Sequence, residues 1–186
     1  MARLLYTVIT SLDGYISDEN GSFDWSEPDE EVHAFIDDQE RTVGTQLLGR
    51  RMYEVLRYWE TALDEPGQTP AGADFARQWL DADKIVYSRT LTEVSTAHTR
   101  IEREFDPTEI ARLKETAARD LVIGGPGLAR HAFAAGLVDE CRVFVVPMLI
   151  GGGKQAFPAG FRSGLELLDQ RRFAGGTVFL RYATRP

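Results

Sequence analysis

The chain has 186 residues, 43% of them hydrophobic, enough to bury a full core as one α/β domain over residues 1–186 without disulfide or metal staples. Its formal net charge is −8 and no basic run is longer than Arg50-Arg51 or Arg171-Arg172, which argues against a broad nucleic-acid or anionic-membrane surface. The lone Cys141 fits a small core residue in a reducing cytoplasm, and the first ten residues read as a strand, not as a secretion signal or membrane span.

Residues 4–10 are apolar and β-branched and predict a first strand, closed by Ser11-Leu12-Asp13-Gly14. Asp-Gly makes a turn, and loops at strand ends often carry sites, so Asp13 is either a turn former or a functional carboxylate. Asn20-Gly21 marks another turn. Trp25-Ser26-Glu27-Pro28 leads into a helical pattern with Val32, Phe35 and Ile36 on one face, and Asp29-Glu30-Glu31 reads as its solvated first turn. Residues 45–48 predict a second strand, ending at Gly49-Arg50-Arg51-Met52, where a helix begins. The two arginines either answer the acidic helix before them or hold an anion. Residues 60–72 read as a surface loop and 73–80 as a helix with Phe75 and Trp79 on a shared face. Residues 84–87 predict a third strand that ends in Ser88-Arg89-Thr90, a hydroxyl and guanidinium cluster suited to a phosphate.

Asp106-Pro107-Thr108-Glu109 joins an N-cap acid, proline at the first helical position and glutamate after it, and predicts a helix with Ile110, Leu113 and Ala117 inward. Residues 121–123 predict a buried strand that turns through Gly124-Gly125-Pro126-Gly127 into a helix over 128–135, stopped by Gly136. Such a turn is either merely tight or a phosphate cradle, since it exposes backbone N–H groups at the positive end of a helix. Residues 141–147 predict another buried strand, 151–153 a flexible loop or cleft rim, and 177–183 a last strand at a sheet edge or in a hairpin. Residues 165–172 carry no assignable pattern. Strand–helix alternation favours a central, mostly parallel sheet flanked by helices, with antiparallel C-terminal strands.

Several motifs fail. Gly151-Gly152-Gly153-Lys154 lacks the hydroxyl and first glycine of a phosphate-binding P-loop, having Gln155 and Met148 in those places. A dinucleotide fingerprint after Ile123 has the wrong spacing, and Val143 stands where an acid belongs about 20 residues on. His33, His98 and His131 lie far apart, with no metal-ligand spacing.

Three strand-end anion clusters, at Gly49-Arg50-Arg51, Ser88-Arg89-Thr90 and Gly124-Gly125-Pro126-Gly127, exceed what one phosphate needs and suit a dinucleotide with an extra phosphate. Together with Ser-Leu-Asp-Gly from 11, Leu-Gly-Arg-Arg-Met-Tyr-Glu from 48, Tyr-Ser-Arg-Thr from 87, Ile-Gly-Gly-Pro-Gly-Leu from 123 and Val-Pro-Met-Leu-Ile-Gly-Gly-Gly from 146, the chain resembles the dihydrofolate-reductase-like superfamily. The nearest branch is the reductase domain of the riboflavin-biosynthesis deaminase-reductase. The resemblance implies NADPH-dependent hydride transfer to a small heterocyclic or carbonyl substrate. It implies that Gly124, Gly125, Pro126, Gly127 and Leu128 cradle the pyrophosphate. Arg50, Arg51, Ser88 and Arg89 would surround the 2′-phosphate, Gly49 and Met52 would also border the cofactor, and Val8 and Ile16 would offer backbone groups to the nicotinamide. Asp13, as catalytic or anchoring carboxylate, Trp25 and His33 would border the substrate. His33 stands roughly where dihydrofolate reductases carry their pterin-binding carboxylate, so folate reduction is not expected. A homodimer through the C-terminal strands is implied as well, and a non-catalytic nucleotide- or flavin-binding module is the alternative.

Overall fold

The computed structural model describes residues 1–185. Ten strands form in chain order: β1 Leu4–Ser11, β2 Tyr15–Ser17, β3 Val43–Gly49, β4 Asp83–Tyr87, β5 Thr99–Glu102, β6 Asp120–Gly124, β7 Glu140–Val146, β8 Lys154–Gln155, β9 Gly164–Arg172 and β10 Val178–Arg185. The helices are α1 Glu30–Glu40, α2 Arg50–Leu56, α3 Pro70–Asp81, α4 Pro107–Thr116 and α5 Pro126–Ala134. Eight strands make one sheet in the order β5-β4-β3-β6-β1-β7-β10-β9, and β2 pairs separately with β8. From β5 to β7 every pairing is parallel, whereas β10 runs antiparallel to both β7 and β9. The parallel set matters for the site, because it brings the C-terminal ends of β1, β3, β4 and β6 to one edge of the sheet.

Alternation along β1 divides the interior into two layers. Leu4, Tyr6 and Val8 meet Leu121, Ile123 and Val143 under Ile110 of α4 and Ala129 and Phe133 of α5. Ile9, on the other face, joins Val32, Phe35 and Ile36 of α1 with Phe144, Phe173 and Phe179. Phe35 meets those three rings edge-on at 6.2, 5.3 and 4.9 Å. Removing one fully buried ring here costs roughly 3–5 kcal/mol. Cys141, on the inner strand β7, is buried and its thiol is pushed up to about 12 by that burial.

Charge is buried in the same sheet. Arg142, only 2% exposed at its side chain, donates to the Gln39 carbonyl at 2.6 Å and lies 3.9 Å from Glu140. Arg3 grips both Glu140 and Asp120 at 2.5 Å, and Thr7 donates to Glu40 at 3.0 Å. Arg181 stands opposite Arg142 in the β7–β10 register. Two guanidinium groups, those of Arg3 and Arg142, are thus set among the three carboxylates of Glu40, Asp120 and Glu140, while the buried Arg181 Nε has no hydrogen-bond partner among the described residues.

Capping explains most helix starts. Asp29 accepts from the Val32 amide at 2.9 Å and Asp106 from the Thr108 amide at 2.8 Å. The expected start of α3 at 73 is corrected to Pro70, because Thr69 caps the Gly72 amide at 3.0 Å and proline suits the first helical position. Two further corrections concern strands. The segment without an assignable pattern is β9, exposed at all nine positions, and it takes the sheet edge, so β10 is an inner strand of a hairpin. β5, at the opposite edge, carried no expectation at all.

Candidate functional site

A cleft of about 710 Å³ opens where β3, β4 and β6 end. Its floor is the turn between β6 and α5. Gly125 caps that helix at φ 89°, a left-handed conformation that a side chain would strain. A Cβ built on Gly125 or Gly127 would meet nothing within 4 Å, so both glycines leave room above the first turn of α5. Gly124 differs, since a Cβ there would lie 3.1 Å from Leu48 and from Met52; it is glycine for packing. Pro126 is buried and supplies the fixed φ of the first helical residue, leaving the Gly127 amide without an intrahelical acceptor.

Cations surround this floor. Arg50, Arg51, Arg89, Arg103, Arg130 and Lys154 line the cleft against the carboxylates of Glu54 and Glu104, an excess of four positive charges in a chain of net −8. Arg50 does not answer the acidic helix before it: it donates to Glu54 of its own helix at 2.7 Å and to Thr90 at 2.9 Å, which ties the ends of β3 and β4 together. Arg89 meets Glu104 at 3.3 Å while remaining 79% exposed, an arrangement of little intrinsic strength. The Ser88 hydroxyl accepts the amides of Thr90 (3.3 Å) and Leu91 (3.0 Å), so it first shapes the loop. Tyr87, Phe105 and His131 form an aromatic wall, with rings 5.6 Å apart for the first pair and 5.8 Å, nearly stacked, for the second. Planar faces beside arginines suit a purine base.

Of the residues singled out in the sequence, Gly49, Arg50, Arg51, Met52, Ser88, Arg89, Gly124, Gly125, Gly127 and Leu128 come together on this one cleft. Val8 and Ile16 instead pack their side chains into the core beside it. Trp25 sits in a 3-10 turn over Asp24–Ser26 with its indole Nε1 buried and unpartnered. His33 lies away from the cleft, against Trp59 and Phe75 at 5.9 and 6.0 Å, and 3.8 Å from buried Asp37. Asp37 is the anomaly there: neither carboxylate oxygen has a hydrogen-bond partner, and burial, aided by Asp74, pushes it up to about 7.

Asp13, expected as a turn former or a catalytic or anchoring carboxylate, is engaged by its own loop and by the one after β7. Its carboxylate accepts from the Ser11 hydroxyl at 2.6 Å, the Gly151 amide at 2.7 Å and the Ile150 amide at 3.1 Å, and these bonds, Ser11 first, hold it at about 2. A carboxylate so engaged stays ionised and serves as a clamp on the loop after β7. Arg103, Arg130, Phe105, His131 and Lys154 were not foreseen. Arg103 follows the unforeseen β5 and donates to the Ser88 carbonyl at 2.9 Å and the Leu91 carbonyl at 2.6 Å, bracing the loop that bears Arg89.

Among the described residues no cluster of three or more His, Cys, Asp or Glu side chains is arranged to hold a metal, and no helix is long and apolar enough to cross a membrane.

Residues 2–179 match the RibD C-terminal domain family. The uncharacterized protein YyaP of Bacillus subtilis (strain 168) is 27% identical over 184 residues, covering 97% of this chain and 94% of its own. Among solved structures, a Shewanella sp. PV-4 protein ascribed to riboflavin biosynthesis superposes with a TM-score of 0.74 at 23% identity, over 100% of both chains. The Thermotoga maritima diaminohydroxyphosphoribosylaminopyrimidine deaminase/5-amino-6-(5-phosphoribosylamino)uracil reductase gives 0.68 at 13% identity, over 99% of this chain and 57% of that one. At these identities the two structures bear on the fold, which is the dihydrofolate-reductase-like one.

Proposed function

The chain belongs to the RibD C-terminal domain family, and on that premise we propose that it is an NADPH-dependent reductase of a small heterocyclic or carbonyl compound. One observation carries the reading: a glycine turn with open space above it lies at the centre of a cleft with four excess positive charges. That is about the charge of a dinucleotide bearing a 2′-phosphate. When bound, NADPH supplies a hydride to the carbon of a C=N or C=O group, and a proton completes the reduction at the heteroatom. In this reading the Gly125 and Gly127 backbone and the first turn of α5 hold the pyrophosphate. Arg50, Ser88 and Arg89, at the ends of β3 and β4, hold the 2′-phosphate. Val8 and Ile16 present backbone to the nicotinamide, and substrate enters between the Asp13 loop and the segment of Trp25. Asp13, held ionised, keeps that loop in place and leaves protonation to solvent or substrate.

Fluorescence titration with NADPH and NADH tests the assignment. NADPH is expected to bind at least ten-fold more tightly; equal affinity for both, or none for either, sinks it. A tightly bound flavin in the purified protein would favour a non-catalytic module.

We also propose a homodimer formed through β9. An edge strand with Leu165, Leu167 and Leu168 exposed at 47, 52 and 43% invites pairing. Leu167→Lys is expected to shift the sedimentation coefficient from dimer to monomer, and a monomeric parent protein would refute the proposal.

A further inference from the structure

The loop between β7 and β8 fails as a P-loop in sequence, yet it is not a slack connector. It is fastened on both sides to residues 12–17. The Leu12 amide donates to the Met148 carbonyl at 2.8 Å, and the Ala156 amide to the Gly14 carbonyl at 2.8 Å. The Asp13 carboxylate takes the amides of Ile150 and Gly151, and β8 pairs with β2 so that Lys154 stands opposite Ser17. At Gly153, φ 124°, a Cβ would fall 2.1 Å from the Ser17 carbonyl oxygen, so only glycine permits this approach.

The fastening delivers Lys154 to the cleft. β2 and β8 lie beyond the end of β1, and the sheet order β4-β3-β6-β1 puts the glycine turn of β6 between them and Ser88-Arg89. Lys154 therefore reaches the cleft from the β1 side of that turn. Arg51, which follows β3 on the other side, lines the same cleft, and desolvation first, then the Arg51 charge, holds the Lys154 ammonium below its ordinary value. Arg50 and Arg89 have acidic partners in Glu54 and Glu104, whereas among the described residues neither Arg51 nor Lys154 forms an ion pair. Two exposed like charges that line one cleft, with no ion pair of their own among the described residues, suit an external anion.

We propose that Lys154 and Arg51 bind the pyrophosphate, the anionic group that NADPH and NADH share, and that Asp13 positions Lys154 by clamping its loop. The proposal rests on the dinucleotide reading and adds to it a binding residue and a positioning residue. Each lost charge-assisted contact corresponds to roughly 10- to 100-fold in affinity.

The test is a fluorescence titration of NADPH and NADH against Lys154→Met, Lys154→Arg and Arg89→Ala. Lys154→Met is expected to weaken both nucleotides by the same factor, at least ten-fold, with Lys154→Arg restoring most of it; Arg89→Ala should weaken NADPH alone. Inorganic pyrophosphate should raise the melting temperature of the parent protein and of Arg89→Ala, but not of Lys154→Met. Asp13→Ala should mimic Lys154→Met, and the double variant should bind no worse than Lys154→Met alone. If the parent binds NADPH and Lys154→Met leaves NADH affinity unchanged, or loses NADPH alone, the pyrophosphate assignment is overturned while the dinucleotide reading stands. If the parent binds neither nucleotide, the reading falls, and the proposal with it. Additive losses in the double variant would overturn the positioning role of Asp13.

Discussion

Two regions of this molecule concentrate arginine, and they use it in opposite ways. Beside β1 and in β7, Arg3 and Arg142 are set among Glu40, Asp120 and Glu140, and their charges are answered by the fold itself. In the strand-end cleft, six cations face two carboxylates and an excess remains. The lesson is that a cluster of guanidinium groups signals binding when the cations of the site outnumber the carboxylates that face them. Residue type is the same in both places; the balance of partners differs.

The comparison can be broken most forcefully at Arg142. Replacing it with alanine removes a buried guanidinium beside buried Glu140 and strips the half-buried Glu40 of its main favourable charge, and is expected to cost about 3–5 kcal/mol in urea unfolding, with nucleotide affinity unaltered in whatever fraction stays folded. A variant of unchanged stability would mean that the sheet arginines are not consumed internally. Arg89→Ala should do the reverse. Because Arg89 is 79% exposed, stability should move by less than about 0.5 kcal/mol, while the NADPH-to-NADH affinity ratio falls roughly 10- to 100-fold.

The smallest effect concerns Asp37, a buried carboxyl without a hydrogen-bond partner among the described residues, 3.8 Å from His33. Its folded value, about 7, lies above the unfolded one, so the folded state holds a proton that the unfolded state has released. Stability should therefore fall as pH rises from about 4 to 7. Asp37→Asn removes that penalty and should raise stability at pH 8 by about 1–2 kcal/mol, with no gain at pH 4. Thermal melts at the two pH values decide; a variant less stable at pH 8 would show that the carboxylate finds a donor.

Much of this fold is legible in the sequence wherever one face is buried. β1, β3, β4, β6 and β7 all show apolar runs, and the caps at Asp29 and Asp106 mark their helices directly. The edges are not legible. β5 and β9 bury little, so selection by the core imposes no alternation on them. Thr69-Pro70 did carry a start signal for α3, outweighed by the turn-rich residues before it. For the site, the glycine turn and the residues directly at strand ends could be read because they depend on local chain direction. Lys154 and Arg103 could not, since each reaches the cleft through a pairing or brace that only the tertiary fold creates, whereas Arg130 follows the glycine turn on α5 itself. Asp13 shows the same limit: the Asp-Gly turn is local, but its clamp spans 138 residues of chain.

The burial of Cys141 gives the protein a built-in chemical clock. A thiol this protonated and enclosed cannot be alkylated while the sheet is intact, so the rate of labelling counts openings of the strands around it. A ligand that binds only the closed form slows that count by mass action. Candidate acceptor compounds can thus be screened by protection of one sulfur, with no dye and no assumption about the reaction.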